Sequence, residues 1–386
     1  MLQGIWTIVV AVIVFAIMIA IHEFGHFSAA KLFKIRVNQF AIGMGPVIWK
    51  KQGKETLYSL RAIPMGGFCQ MEGEDEASDD ERSFGKAAWW KRFIVVIAGA
   101  ALNIVLGFVI FLILQAPTAQ VNTPIIDSID QTTNLAGSVF QPGDQITKIG
   151  GSTIHIYEDL RFALERVTDQ PVEVTARRGS ETVTQTVTPV KQDIVYTYSQ
   201  DQIDIRVLHN GVEVDHQVQA APDTEEYQDY IGKSGTQTSY ILGFVPKAEN
   251  MTFTTAISRA YYLTLYNIKI VYVSLYELIR GNVPASQVSG PVGIISVIGQ
   301  ASQMDWTVLF NLVALLTVNL GIMNLLPIPA LDGCKLLIIL VEAITRRRLP
   351  PEKEGIITLI GFVLLILVLL WATYNDVVRL FTGWQT

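Results

Sequence analysis

From Ile5 to Ile21 the chain runs without a charge. It then meets His22-Glu23-Phe24-Gly25-His26 and continues apolar through Phe27 to Phe33. A run that long and that hydrophobic is expected to cross a bilayer as a helix, because a helix satisfies its own backbone groups where no water can. On a helix, positions four apart share one face, so His22 and His26 can grip one metal ion with Glu23 beside it. Ionisable side chains at that depth cost about 3 kcal/mol each, so they mark function by default. Two blander readings stand beside the metal site: polar glue between helices, or part of a proton path. A cleaved signal peptide does not fit. The apolar run is too long for one and no basic residue precedes it, so a retained anchor is expected.

Half of the residues are hydrophobic and only 17% are charged, a balance that suits a membrane protein with one substantial water-exposed part. A net charge of -6 argues against nucleic acid as a partner. Two cysteines, Cys69 and Cys334, are too few for a disulfide framework and read as small packing residues.

Basic residues set the expected topology. Lys31, Lys34 and Arg36 follow the first span (residues 1–36 with their flank) and place its C-terminal end in the cytoplasm. At about 1.5 Å per residue, His26 and His22 lie roughly 8 and 14 Å below Lys31, inside the membrane. Residues 37–72 break into short β-prone pieces, Gln39 to Ile42, Val47 to Lys51, Thr56 to Arg61 and Phe68 to Met71, punctuated by Gly43-Met44-Gly45-Pro46 and Pro64-Met65-Gly66-Gly67. Residues 73–116 hold an acidic stretch, read as a solvated cytoplasmic loop, and a second span from about Phe93 to Leu114 that carries Asn103. Lys86, Lys91 and Arg92 flank it.

Residues 117–250 change character, with Thr, Val, charges and Gly-bearing turns in place of apolar runs. They are expected to form an extracytoplasmic, mainly β domain with a helix from Tyr157 to Val167. Two similar hairpins turn at Arg178-Gly179 and Asn210-Gly211. Whether residues 191–250 are a second module is open at this level. Residues 251–304 read as a helical segment on the outer membrane face. Residues 305–386 hold a third span, about Trp306 to Leu326, and a fourth, about Gly355 to Tyr374, with Arg346, Arg347, Arg348 and Lys353 between them in the cytoplasm. Four spans place both termini outside.

A catalytic zinc needs three protein ligands and one open position. His155, His209 and His216 all fall in the outer domain and are poor candidates. The third span ends in Asn324-Leu325-Leu326-Pro327-Ile328-Pro329-Ala330-Leu331-Asp332-Gly333, where two prolines break the helix and free backbone groups that only a covered or wet cavity satisfies. Asp332 follows the break at the depth inferred for the histidines. Its alternative role is to cap the helix that starts near Gly333.

The pairing of HEFGH in the first span with NLLPIPALDG after the third resembles the site-2 protease family of intramembrane zinc metalloproteases, and within it the bacterial branch that regulates sigma-E. The likeness covers nearly the whole chain. It implies a polytopic α-helical membrane protein with four transmembrane helices, a membrane-reentrant β-hairpin sheet over residues 37–72, and an inserted extracytoplasmic α+β PDZ-like domain. It implies His22, His26 and Asp332 as ligands of one Zn2+ per chain, Glu23 as catalytic base, and Asn324 with the hairpin glycines Gly43, Gly45, Gly66 and Gly67 at the substrate. The partners implied are the lipid bilayer of the bacterial inner membrane and single-span membrane proteins already cleaved outside it, such as anti-sigma factors or signal-peptide remnants. Ala98-Gly99 with Asn103, and Ser289-Gly290-Pro291-Val292-Gly293-Ile294, match further family segments. Ala100, Cys69-Gln70 and Cys334 depart from its common residues without removing a ligand or the base. The rivals are a non-catalytic PDZ-bearing scaffold and a metal or proton transporter. Intact Glu23 speaks against the first, and the lack of repeated halves against the second.

Overall fold

The computed structural model describes residues 2–74, 76, 78–116, 118–222, 225–228, 230–282 and 289–382. Two compact units emerge, Met1–Gln115 with Thr264–Thr386, and Ala116–Leu263. In chain order the first begins with α1 (Leu2–Leu32), β1 (Val37–Gln52), β2 (Leu57–Met71) and α2 (Trp89–Gln115). The second holds β3 (Gln120–Ile129), β4 (Gln145–Ile149), β5 (Ser152–Thr153), α3 (Tyr157–Glu165), β6 (Val172–Arg178) and β7 (Glu181–Val187). It continues with β8 (Val190–Tyr198), β9 (Gln202–His209), β10 (Val212–Ala220), α4 (Glu225–Gln228), β11 (Ser234–Ile241) and β12 (Phe244–Asn250). Then come α5 (Phe253–Ile279), α6 (Pro291–Gln303), α7 (Trp306–Asn324), α8 (Asp332–Thr345) and α9 (Pro351–Thr382).

Among the described residues four helices are long and apolar enough to cross a membrane. They lie at Ile5–Leu32, Trp89–Gln115, Trp306–Asn324 and Lys353–Arg379, where the four spans are expected from the sequence. Small residues decide how three of them meet. A Cβ on Gly25 of α1 would lie 2.3 Å from the Ala98 carbonyl oxygen of α2, so the two backbones are in contact there. A Cβ on Gly321 of α7 would lie 2.8 Å from the Ala100 oxygen, and one on Gly107 would lie 2.4 Å from Val318. Without a hydrophobic driving force between helices in lipid, such close approach supplies the packing that holds them. The fourth helix is held differently. Its Asp376 carboxylate is buried and accepts from the backbone N–H groups of Gly290 (3.0 Å) and Gly293 (2.8 Å), capping the first turn of α6 from another helix. Glycine is needed at Gly290 because a Cβ would lie 2.7 Å from that carboxylate.

The hairpin keeps the four expected pieces but joins them into two long, bent strands. Residues 39–42 pair with residues 67–70 on one side and with residues 57–60 on the other, while residues 47–52 pair with residues 57–61. The bends fall at Gly43, Gly45 and Gly66, whose φ values of 86°, 80° and 91° are cheap only for glycine. Residues 67–70 therefore form an edge of this sheet.

α5 is not among the helices long and apolar enough to cross a membrane. Its exposed Phe253, Tyr261, Tyr272 and Tyr276 suit an interface. In the second unit, Ile126, Leu135, Ile146, Leu160, Val174 and Leu242 form the core. The helix α3 falls where the sequence places it. Both hairpin turns form, with Gly179, Asn210 and Gly211 at positive φ. The main sheet runs β12-β3-β4-β6-β7, so Phe244–Asn250 returns to the first sheet. The sheet β10-β9-β8-β11 is thus an insertion between β7 and β12 rather than a module appended after it.

Candidate metal centre

His22 and His26 are both buried, one turn apart on α1. Their Nε2 atoms stand 3.1 Å from each other. Asp332, the first residue of α8, brings its Oδ2 to 3.1 Å from His22 Nε2 and 3.3 Å from His26 Nε2. A tetrahedral zinc with ligands at about 2.0 Å has corners about 3.3 Å apart. The three donor atoms therefore occupy three corners of such a site and leave a fourth open. Their chemistry makes the same demand. Two imidazole nitrogens and a carboxylate oxygen, facing one point, repel one another unless a proton or a metal cation sits between them. Asp332 Oδ2 is sealed from solvent with no hydrogen-bond partner of acceptable geometry, an orphan that a metal would satisfy.

The second helix shapes this site as much as the first. His26 Nδ1 donates to the Val95 carbonyl of α2 at 2.9 Å, which fixes the tautomer that turns Nε2 toward Asp332. Gly99 must lack a side chain, since a Cβ there would lie 2.5 Å from His26 Nε2 and 2.9 Å from His22 Cε1. The sequence marks Ala98-Gly99 and Asn103 by resemblance alone; the contacts give the physical reason.

Asp332 arrives through the broken segment between α7 and α8. Ala330 takes φ 73°, and a Cβ on Gly333 would lie 2.1 Å from the Leu326 oxygen, so the segment doubles back on the end of α7. Gly361 of α9 lies against Pro329, where a Cβ would come to 2.3 Å. The helix-cap alternative for Asp332 falls away. Leu331 is the N-cap residue, and the Asp332 carboxylate is turned to the histidines. Farther along α8, Glu342 forms a buried ion pair with Arg92 of α2 at 2.8 Å.

Glu23 is half-buried beside the two histidines and shares the lining of one cavity with Cys69. Gly67 sits against it: a Cβ there would lie 3.0 Å from the Ala41 oxygen and 3.2 Å from Glu23 Cγ, a tight fit that its neighbours would have to ease by a few tenths of an ångström. Glu23, the histidines, Asp332 and the strand edge Phe68–Met71 line one cavity of about 490 Å³. Asn324 lies half-buried at the last turn of α7. Gly43, Gly45 and Gly66 serve the bends of the hairpin. Cys69 and Cys334 are free thiols, and Cys69 packs in the apolar cluster near the site.

The acidic stretch is exposed in part, with Glu76, Asp79 and Glu81 open to solvent, but other carboxylates in it are tied down by partners. Glu72 accepts from Asn38 and Ser78, Asp80 pairs with Arg36 at 2.9 Å, and Glu74 pairs with Lys335 of α8 at 2.7 Å. Glu74 also accepts from the Met71 backbone N–H. One carboxylate thus ties the end of the edge strand to the first turn of the Asp332 helix, and Glu74 and Lys335 border the cavity. These links escape a sequence reading because their counter-charges come from segments far apart in the chain. His209 hydrogen-bonds Thr132 and Gln192, and His216 lies 3.2 Å from Asp204, so both have other partners in the second unit. His155 stacks on Tyr262 there.

Residues 10–368 match peptidase family M50. A Clostridium acetobutylicum protein, named provisionally as a zinc metalloprotease, is 33% identical over 97% of this chain and 98% of its own length. The zinc metalloprotease RasP of Oceanobacillus iheyensis is 28% identical over 97% of this chain and 99% of its own. The regulator of sigma-W protease RasP of Bacillus subtilis is 25% identical over the same shares.

Proposed function

This chain belongs to peptidase family M50, and from that premise we propose that it is a zinc metalloprotease that hydrolyses peptide bonds within or near the membrane-spanning segment of single-span proteins. The observation that carries the reading is the tetrahedral spacing of three donor atoms on α1 and α8. His22 Nε2, His26 Nε2 and Asp332 Oδ2 would hold the metal. Bound there, zinc supplies Lewis acidity for the scissile carbonyl and brings the pKa of a water toward neutrality. Glu23, on the same helical turn, takes the proton from the attacking water and passes it to the leaving amide nitrogen.

A substrate helix hides its carbonyls in its own hydrogen bonds, so it must unwind before it is cut. The strand edge at residues 67–71 can hold the extended segment by β-augmentation, and Gly67 lets that segment pass close to Glu23. Gly43, Gly45 and Gly66 give the hairpin the bends that present this edge. Asn324 binds exposed substrate backbone. The basic residues Lys31, Lys34, Arg36, Lys91 and Arg346 to Arg348 support a cavity that faces the cytoplasm of a bacterial membrane. The second unit is then extracytoplasmic. In this reading it is a PDZ-like filter that excludes bulky external domains and admits substrates already trimmed outside. The domain limits given by the sequence, with the outer domain at 117–250, belong to the same reading.

The test is Glu23→Gln in the full chain reconstituted in liposomes. It should keep stoichiometric zinc while cleavage of a single-span reporter falls by at least about 1,000-fold, the scale of a lost general base. Unchanged cleavage would overturn the protease assignment. Zinc flux across the vesicle that disappears with this variant would favour a transporter.

A further inference from the structure

We propose that Asn103 is the positioning residue of His22: its side-chain carbonyl accepts the His22 Nδ1–H and so fixes the ring with Nε2 toward the metal. The inference rests on the reading of His22 as a ligand. The two histidines need the same thing. Each must carry its proton on Nδ1 if Nε2 is to offer a lone pair, and each therefore needs an acceptor at Nδ1. His26 has one, the Val95 carbonyl at 2.9 Å. At His22 Nδ1 stands the Asn103 side-chain amide, placed with its nitrogen 3.3 Å away.

Asn103 is 0% exposed, in the middle of an apolar span. A primary amide has two ends of nearly the same shape, and the protonation of its partner decides which end faces it. With the nitrogen toward His22 Nδ1, His22 would have to carry its proton on Nε2, pointing into the ligand cluster. In that orientation Asn103 Oδ1 is also sealed from solvent with no partner. Turning the amide over brings Oδ1 to Nδ1–H and frees Nε2 for the metal. The metal-bound state selects this second orientation.

A bland role as glue between helices does not need this amide. The link to α7 runs from Thr317 Oγ1 to the backbone oxygen of Asn103 at 3.3 Å and survives any substitution. Only the side chain reaches His22. Leucine keeps most of the volume and removes the acceptor, whereas aspartate keeps the acceptor.

The experiment measures zinc affinity of the full chain in detergent by competition with a chromogenic chelator, with the melting temperature of each metal-free protein recorded alongside. Asn103→Leu should bind zinc at least about tenfold more weakly than wild type, the scale of a lost partner behind a metal-binding histidine. Asn103→Asp should stay within a few-fold of wild type. Leucine binding as tightly as wild type, or aspartate weakening zinc as much as leucine does, would overturn the proposal. If the leucine protein does not fold, Asn103→Ala is judged by the same criterion. Asp332→Ala separates the two levels. If it leaves zinc affinity unchanged, the ligand set itself is wrong. If it abolishes binding while Asn103→Leu does not weaken it, only the role of Asn103 fails.

Discussion

The two halves of the proposed metal centre are built in opposite ways. His22, Glu23 and His26 are local: one turn of one helix presents them, and the spacing in the sequence already sets their geometry. Asp332 is remote, delivered by a segment that has lost its helical bonds and is shaped by contacts from four other places. Gly333 folds it onto the end of α7, Gly361 of α9 lets Pro329 in, and the ion pairs Arg92–Glu342 and Glu74–Lys335 anchor the helix that follows. A local half needs only a helix and a neighbour that makes room. A remote half needs the whole membrane unit to be correct. Asp332 should therefore be the sensitive end of the site, with one exception, the glycine against which the histidines lie.

That exception gives the largest expected effect. Gly99→Ala places a methyl 2.5 Å from His26 Nε2, with backbone on one side and a ligand on the other. Zinc affinity should fall by about 100-fold, the upper scale for a disturbed ligand environment, as read by chelator competition. Affinity within threefold of wild type would mean that the α1–α2 contact does not set the histidine geometry.

Next comes the anchor of the remote half. Arg92→Ala or Glu342→Ala leaves one buried charge unpaired and should destabilise the protein by about 3 to 5 kcal/mol. The double change Arg92→Met with Glu342→Leu should recover most of that loss, because no charge then remains buried. Denaturation in mixed micelles measures both. If the double variant is as unstable as either single one, the pair does more than cancel its own charges.

The smallest effect concerns the rim beyond the local half. Glu55 accepts from Lys31 at the end of α1 and from Arg82, each at 2.7 Å, and these partners hold its carboxyl down at about 2. An unfolded glutamate titrates near about 4.3. The stabilisation is complete above that value and is lost as the pH falls through 2. Glu55→Gln should therefore cost about 1 kcal/mol at pH 7, and less at pH 3, with the difference shrinking further at high salt. A cost that does not change with pH would separate Glu55 from this role.

The same contrast explains what the sequence disclosed. Four spans, the bends of the hairpin and the HEFGH turn are short-range signals of hydropathy, glycine and helical period, and each lies where it is expected. Asp332 was reachable because two prolines announce the break before it. The strap around Glu72, Glu74 and Asp80 was not, since acidic residues look alike until Arg36, Asn38 and Lys335 are brought beside them. The Asp376 cap on α6 was hidden for the same reason: its partners are backbone groups more than eighty residues away. The inserted sheet at residues 190–241 was ambiguous because a hairpin carries no label saying which sheet its last strand rejoins.

The most direct test of the account is an anomalous-scattering map of the zinc-loaded Glu23→Gln protein, collected on both sides of the zinc absorption edge. The account predicts a single peak about 2 Å from His22 Nε2, His26 Nε2 and Asp332 Oδ2. A peak bound by the histidines alone, with the Asp332 carboxylate more than about 4 Å away and another group in its corner, would contradict it.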